Sequence, residues 1–131
     1  MKFKNVFVVD DDKIHHFIIK KLLESNTIDI EPVFFENGLD AINDIKGKID
    51  NGNILPDLIL LDINMPILDG WQFLDEFTSL KEKLSHDIMI HIISSSNNII
   101  DLEKAQTFKD LIGNYFVKPM TSDAIKSIFS S

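Results

Sequence analysis

Asp10, Asp11 and Asp12 stand side by side in VVDDDKIHH (residues 8–16), where an apolar run stops. Like charges in a row repel, so their placement asks for a partner. Three further polar residues close other apolar runs: Asp62 after LILL, Ser94 after II and Lys118 after YFV. Several carboxylates converging on one point repel strongly unless a cation joins them. Oxygen ligands without His or Cys suit a hard ion, and Mg²⁺ held by one or two carboxylates plus a phosphoryl oxygen fits best. A Lys and a Ser hydroxyl aimed at the same point would stabilise negative charge on a phosphoryl group. Asp62 would then be free to act as a nucleophile of the aspartyl-phosphate kind.

Each residue alone has a plainer use. Asp12 can be the N-cap of the first helix, and Asp62 a turn residue at a strand end. Ser94 opens a Ser-Ser-Ser run that reads as loop, and Lys118 before Pro119 reads as a surface charge. His15 and His16 fall early in the first helix and read as surface residues, and His91 as a packed strand residue. Met65, Trp71 and the ten Phe read as core or rim. The plain readings fail together, because all four positions land at one edge of one sheet.

That sheet follows from the pattern of elements. Phe3 to Val9 reads as a strand, and Lys13 to Glu24 as a helix with Ile14, Phe17, Ile18 and Leu22 on one face. Ile30 to Phe35 reads as a strand that Pro32 assigns to an edge. A helix with the stripe Leu39, Ile42, Ile45 and Ile49 follows Asn37-Gly38 and closes at Asn51-Gly52-Asn53. Asp57 to Ile63 is nearly continuous Leu and Ile, as in a strand covered on both faces. The helix after Gly70 turns Phe73, Leu74, Phe77, Leu80 and Leu84 inward, and Ile88 to Ile93 is a fourth strand. Asn98 to Ile112 is helical at least to Ala105, and Tyr115 to Val117 is a fifth strand. Thr121, Ser122 or Asp123 caps a last helix running to Phe129. Strands alternating with helices imply a parallel sheet covered on both faces, with right-handed crossovers. Ligands in such sheets bind beyond the carboxyl ends of the strands, where the four polar positions lie.

Composition narrows the field. A chain of 131 residues, 44% hydrophobic and 26% charged, is read as one domain, residues 1–131, with a real core. A net charge of −8 repels a phosphate backbone, which argues against direct nucleic-acid binding. No cysteine is present, so disulfides and thiolate metal sites are excluded. The apolar runs are too short for a membrane span or a signal peptide, and a cytoplasmic location is expected.

The stretches VVDDD (8–12), LILLDINMPILDG (58–70), IISSS (92–96) and YFVKP (115–119) together resemble the receiver domain of two-component response regulators. FENGLDAI (35–42) is similar to that family's second strand-to-helix turn, and the likeness covers essentially the whole chain. The resemblance implies an α/β flavodoxin-like (βα)5 fold, strand order 2-1-3-4-5, of the stand-alone chemotaxis-regulator kind. It implies a phospho-acceptor switch that catalyses only its own phosphorylation and autodephosphorylation. By resemblance Asp62 is the phosphorylated residue, Asp11 a direct Mg²⁺ ligand and Asp10 a carboxylate holding the ion largely through water. Asn64 would lend its backbone carbonyl to the metal, with Asp62 also a ligand. Ser94 is the switch hydroxyl, Lys118 the phosphoryl-binding lysine, and Tyr115 the aromatic that turns inward on activation. The implied donor is a sensor histidine kinase or a histidine phosphotransfer protein. The implied output is an unknown protein docking on the fourth helix, fifth strand and last helix. Asn64 and Ser96 occupy positions the family associates with phosphate lifetime.

Ser94 replaces the family's frequent Thr, and the stretch from Ser94 to Lys118 is slightly longer than usual. With the last helix ending at Phe129, no output domain is expected in this chain. Two other readings compete. A phosphatase of the haloacid dehalogenase type also uses a strand-end Asp with another two residues on, as Asp10-x-Asp12 provides. Lys13-Ile14 lacks the small residues of such sites, and the chain has no room for a substrate cap. A receiver-like adaptor that never becomes phosphorylated would not need the intact set of polar residues.

Overall fold

The computed structural model describes residues 3–95 and 98–130. In chain order the elements are β1 (Val6–Val9), α1 (Lys13–Ser25), β2 (Val33–Phe35), α2 (Gly38–Asn51) and β3 (Leu58–Asp62). There follow α3 (Gly70–Leu80), β4 (Met89–Ser94), α4 (Ile99–Thr107), β5 (Ile112–Val117) and α5 (Ser122–Phe129). The strands form one parallel sheet in the order β2-β1-β3-β4-β5, the doubly wound order the resemblance implies. None of these helices is long and apolar enough to cross a membrane.

The two-residue period of strand side chains divides the core. Val9, Ile59, Leu61, Ile90 and Ile92 pack against Ile42 and Ile45 of α2 and Phe73 and Phe77 of α3. Val6, Val8, Leu58, Leu60 and Ile93 point the other way, onto Ile19 and Leu23 of α1 and Ile125 and Ile128 of α5. All five residues of β3 are buried, as a central strand covered on both faces requires.

Side-chain caps fix where the helices start. Asp12 accepts from the backbone N–H groups of Ile14 and His15, and Asn37 accepts from Asp40. Asp69 and Gln72 form a reciprocal capping box at α3, while Asn98 and Thr121 cap α4 and α5. Gly52 ends α2 at φ 68°, a left-handed conformation open to glycine without a Cβ penalty.

The structure corrects several sequence expectations. β1 begins at Val6 rather than Phe3, because the N–H groups of Lys4 and Asn5 are taken by the Asp57 carboxylate. β2 is a short edge strand that starts after Pro32, which has no N–H to donate to a ladder. The face of α1 is rotated by one residue: His15, Ile19 and Leu23 are buried, while Ile14 and Phe17 are 73% and 58% exposed. β5 starts three residues earlier than expected, at Ile112. Its pairing with β4 sets Ile90 against Ile112 but Ile92 against Tyr115, so β5 carries one extra residue. That bulge absorbs part of the long stretch before Lys118. A Cβ on Gly113 would lie 2.6 Å from the His91 ring, and the Asn114 N–H donates to His91 Nδ1 at 2.9 Å. α4 ends at Thr107 with no buried residue of its own.

Candidate functional site

The carboxyl ends of β1, β3, β4 and β5 bring together Asp10, Asp62, Ser94 and Lys118, as the sequence pattern predicts. Asp10 is fully buried just past β1, with its N–H donating to the Phe35 carbonyl at 2.9 Å. Its Oδ1 accepts from the Asp12 N–H at 2.9 Å and from Lys118 Nζ at 2.9 Å. Its Oδ2 accepts from His15 Nδ1 at 2.8 Å. Burial alone would raise the pKa of Asp10, but these three donors outweigh it and hold the carboxyl below its ordinary value.

Asp62, the last residue of β3, is likewise buried and lies 3.4 Å from Lys118 Nζ. Its environment works the other way. Burial and the charge of Asp10 push its pKa up to about 7, against the pull of Lys118. Burial would lower the pKa of Lys118, but Asp10 and then Asp62 raise it above the ordinary lysine value. The shorter Lys118–Asp10 contact decides the pairing: the ammonium neutralises Asp10, and Asp62 is left as the unbalanced carboxylate.

Exposed Asp11 completes the group. Asp10, Asp11 and Asp62 offer carboxylate oxygens that all lie within 4.8 Å of one another. An all-oxygen set carrying excess negative charge suits a hard divalent cation. Asn64 is exposed in the loop after β3, and Ser96 lies outside the described residues. Gly70 holds that loop against the site. Its N–H donates to the Ile63 carbonyl at 2.8 Å, and a Cβ there would lie 2.5 Å from the Asp62 carbonyl oxygen.

Ser94 closes β4 fully buried, and its carbonyl accepts the Lys118 N–H at 2.7 Å. The Ser94 side chain lies near enough to the Tyr115 hydroxyl to favour its ionised form, and the Tyr115 ring packs half-buried against the α2–α3 side of the core. Burial raises the Tyr115 pKa, with added repulsion from Asp101 and Asp62. Phe116 belongs to the opposite core layer, so Tyr115 and Lys118 occupy opposite faces of β5, as expected from their spacing.

His15 is the residue the sequence reading missed. It is buried, where a surface position was expected, and its Nε2 accepts the Met120 N–H at 3.2 Å. His16 is half-buried, with Nε2 2.6 Å from the Asp10 carbonyl and its ring tilted over Phe34. The available signal was spacing: His15 heads the row His15, Ile19, Leu23 at four-residue intervals.

The family model of the response regulator receiver domain matches residues 6–130. Chemotaxis protein CheY of Halobacterium salinarum is 29% identical, over 98% of this chain and 98% of its own length. Hybrid signal transduction histidine kinase L of Dictyostelium discoideum is 28% identical over 94% of this chain, which spans 7% of that protein. The crystal structure of a two-component response regulator from Cytophaga hutchinsonii superposes with a TM-score of 0.84 and 28% identity, covering 98% of this chain and 96% of that one. Sheet order, strand-end residues and these likenesses agree, and the chain belongs to the response regulator receiver domains of two-component signalling.

Proposed function

We propose that the chain, read as one receiver domain over residues 1–131, takes a phosphoryl group from a phosphohistidine onto Asp62. A histidine kinase or a histidine phosphotransfer protein would be the donor. The observation that carries this reading is the placement of Asp62: buried, 3.4 Å from Lys118 Nζ, and clustered with the carboxylates of Asp10 and Asp11. An ionised Asp62 oxygen attacks phosphorus, the O–P bond forms and the P–N bond to the donor imidazole breaks. Lys118 stands where its ammonium can hold a phosphoryl oxygen, and the Ser94 hydroxyl takes another. Asp10, Asp11, Asp62 and the Asn64 carbonyl would hold Mg²⁺. When bound, that ion offsets the negative charge of the carboxylates and of the phosphoryl group. Autodephosphorylation returns the switch to its starting state.

Phosphorylation adds roughly −1.5 to −2 charges at one point. Drawing the Ser94 hydroxyl toward the phosphate takes it from Tyr115, which shifts the population of a face built from α4, β5 and α5. Ile99 and Ile100 of α4 are 71% and 64% exposed, and this apolar surface supports protein docking there. Incubation with acetyl phosphate or a phosphorylated kinase, with and without Mg²⁺, tests the proposal. Intact mass is expected to rise by one phosphoryl group only when Mg²⁺ is present.

Tyr115→Ala is expected to leave phosphorylation nearly intact while weakening phosphate-dependent partner binding by roughly ten-fold, within the usual allosteric coupling of ~1–3 kcal/mol. NMR shift changes on beryllofluoride addition provide the check. Identical responses across residues 98–129 in both proteins would remove Tyr115 from the switch.

A further inference from the structure

We propose that His15 is a positioning residue for the cation site, fixing the Asp10 carboxylate and tying the turn after β5 to it. The inference rests on the reading that Asp10 and Asp11 hold Mg²⁺. His15 is buried between two partners that assign its tautomer. Its Nε2 accepts the Met120 N–H at 3.2 Å, so the ring proton sits on Nδ1 and is donated to Asp10 Oδ2 at 2.8 Å. Met120 follows Lys118 by two residues, and Lys118 holds the other oxygen of the same carboxylate. The turn that carries Lys118 is therefore clamped to Asp10 twice, directly through the ammonium and indirectly through the imidazole.

The energetics favour a positioning role over mere filling of space. Asp10 is fully buried, so its charge and the plane of its carboxylate are set by the protein groups bonded to it. Asp12 and Lys118 both act on Oδ1, while His15 holds Oδ2. Without it the carboxylate can rotate about its bond and turn toward Lys118, away from the oxygens of Asp11 and Asp62. Groups that orient a metal-binding side chain typically change affinity 10- to 100-fold when removed.

His15→Leu removes both contacts. In His15→Asn the amide nitrogen replaces Nδ1 toward Asp10 but is too short to reach Met120. Titration calorimetry with Mg²⁺ alone should show affinity reduced about ten-fold in His15→Leu and kept within about three-fold in His15→Asn. Long-range ¹H–¹⁵N spectra of the unmodified chain should show the Nδ1–H tautomer of His15. An affinity in His15→Asn reduced as far as in His15→Leu, or the Nε2–H tautomer, would overturn the proposal. Equal Mg²⁺ affinity in a folded His15→Leu would overturn it too. Should His15→Leu not fold, the His15→Asn titration and the tautomer still decide. Failure of the unsubstituted chain to bind Mg²⁺ would instead overturn the functional reading, and this proposal with it.

Discussion

Asp62→Asn is expected to stabilise the metal-free protein by roughly 2–4 kcal/mol at about pH 8, with the gain vanishing near about pH 4. The sign follows from an acid whose pKa is raised on folding. Burial and the neighbouring Asp10 charge lift Asp62 from 3.8 to about 7. Between those values the folded chain keeps a proton that the unfolded chain has released, so stability falls as pH rises through the window. Above about 7 the cost is fully present; below about 4 both states are protonated and it disappears. Asparagine copies the shape of the neutral acid and carries no charge at either pH. At ~1.36 kcal/mol per pKa unit the ceiling is about 4 kcal/mol, and Tm should rise on the order of 10 °C. Denaturant unfolding in chelator at the two pH values provides the check. Millimolar Mg²⁺ should narrow the gap by stabilising the unsubstituted protein. A variant less stable than its parent at both pH values would contradict the account.

Gly70→Ala should cost roughly 3 kcal/mol and lower phosphate acceptance as well. A Cβ at this position would lie 2.5 Å from the Asp62 carbonyl oxygen and 2.8 Å from Ile63 Cα. Both are backbone atoms of the β3 end, and neither can swing aside as a flexible side chain does. Relief requires the start of α3 to move away from the strand. That movement breaks the Gly70 N–H bond to the Ile63 carbonyl and displaces the acceptor. Gly47, inside α2, is the matched control: nothing lies within 4 Å of a Cβ there. Gly47→Ala should therefore stabilise by about 0.5–1 kcal/mol, through backbone entropy alone. Chemical denaturation of both variants, beside labelling by acetyl phosphate, separates the close approach at Gly70 from a general cost of replacing glycine. Equal stability of the two variants would contradict the close-approach argument.

The sheet and its strand-end residues were readable because the chemistry there is local. A Leu-Ile run ending in Asp62 declares a central strand, and the strand-end residues of such a sheet converge whatever the loops do. The α1 face was misread because burial of His15 depends on Asp10 and on Met120, 105 residues further along. By hydropathy alone Ile14 and Phe17 outrank a histidine, yet a fully bonded imidazole takes the inward place. The start of β5 was missed for a related reason. Gly and Asn have low strand propensity, yet Gly113 is needed inside the strand because His91 and Met89 of β4 approach to 2.6 Å of where its Cβ would be. The row His15, Ile19, Leu23 is the one local trace of the first contact, and the second leaves none. The raised pKa of Asp62 is likewise a property of the assembled site: it needs both the burial and the preference of Lys118 for Asp10.

The central claim, that Asp62 accepts a phosphoryl group at a Mg²⁺-dependent site, is tested most directly by intact mass after incubation with acetyl phosphate. The measurement compares the unsubstituted protein with and without Mg²⁺, and Asp62→Asn with Mg²⁺, followed by peptide mapping of the modified residue. The account predicts one acid-labile phosphoryl group on the unsubstituted protein with Mg²⁺, on the peptide containing Asp62, and none in the other two samples. Equal incorporation into Asp62→Asn, or a modification mapped to another residue, would contradict it.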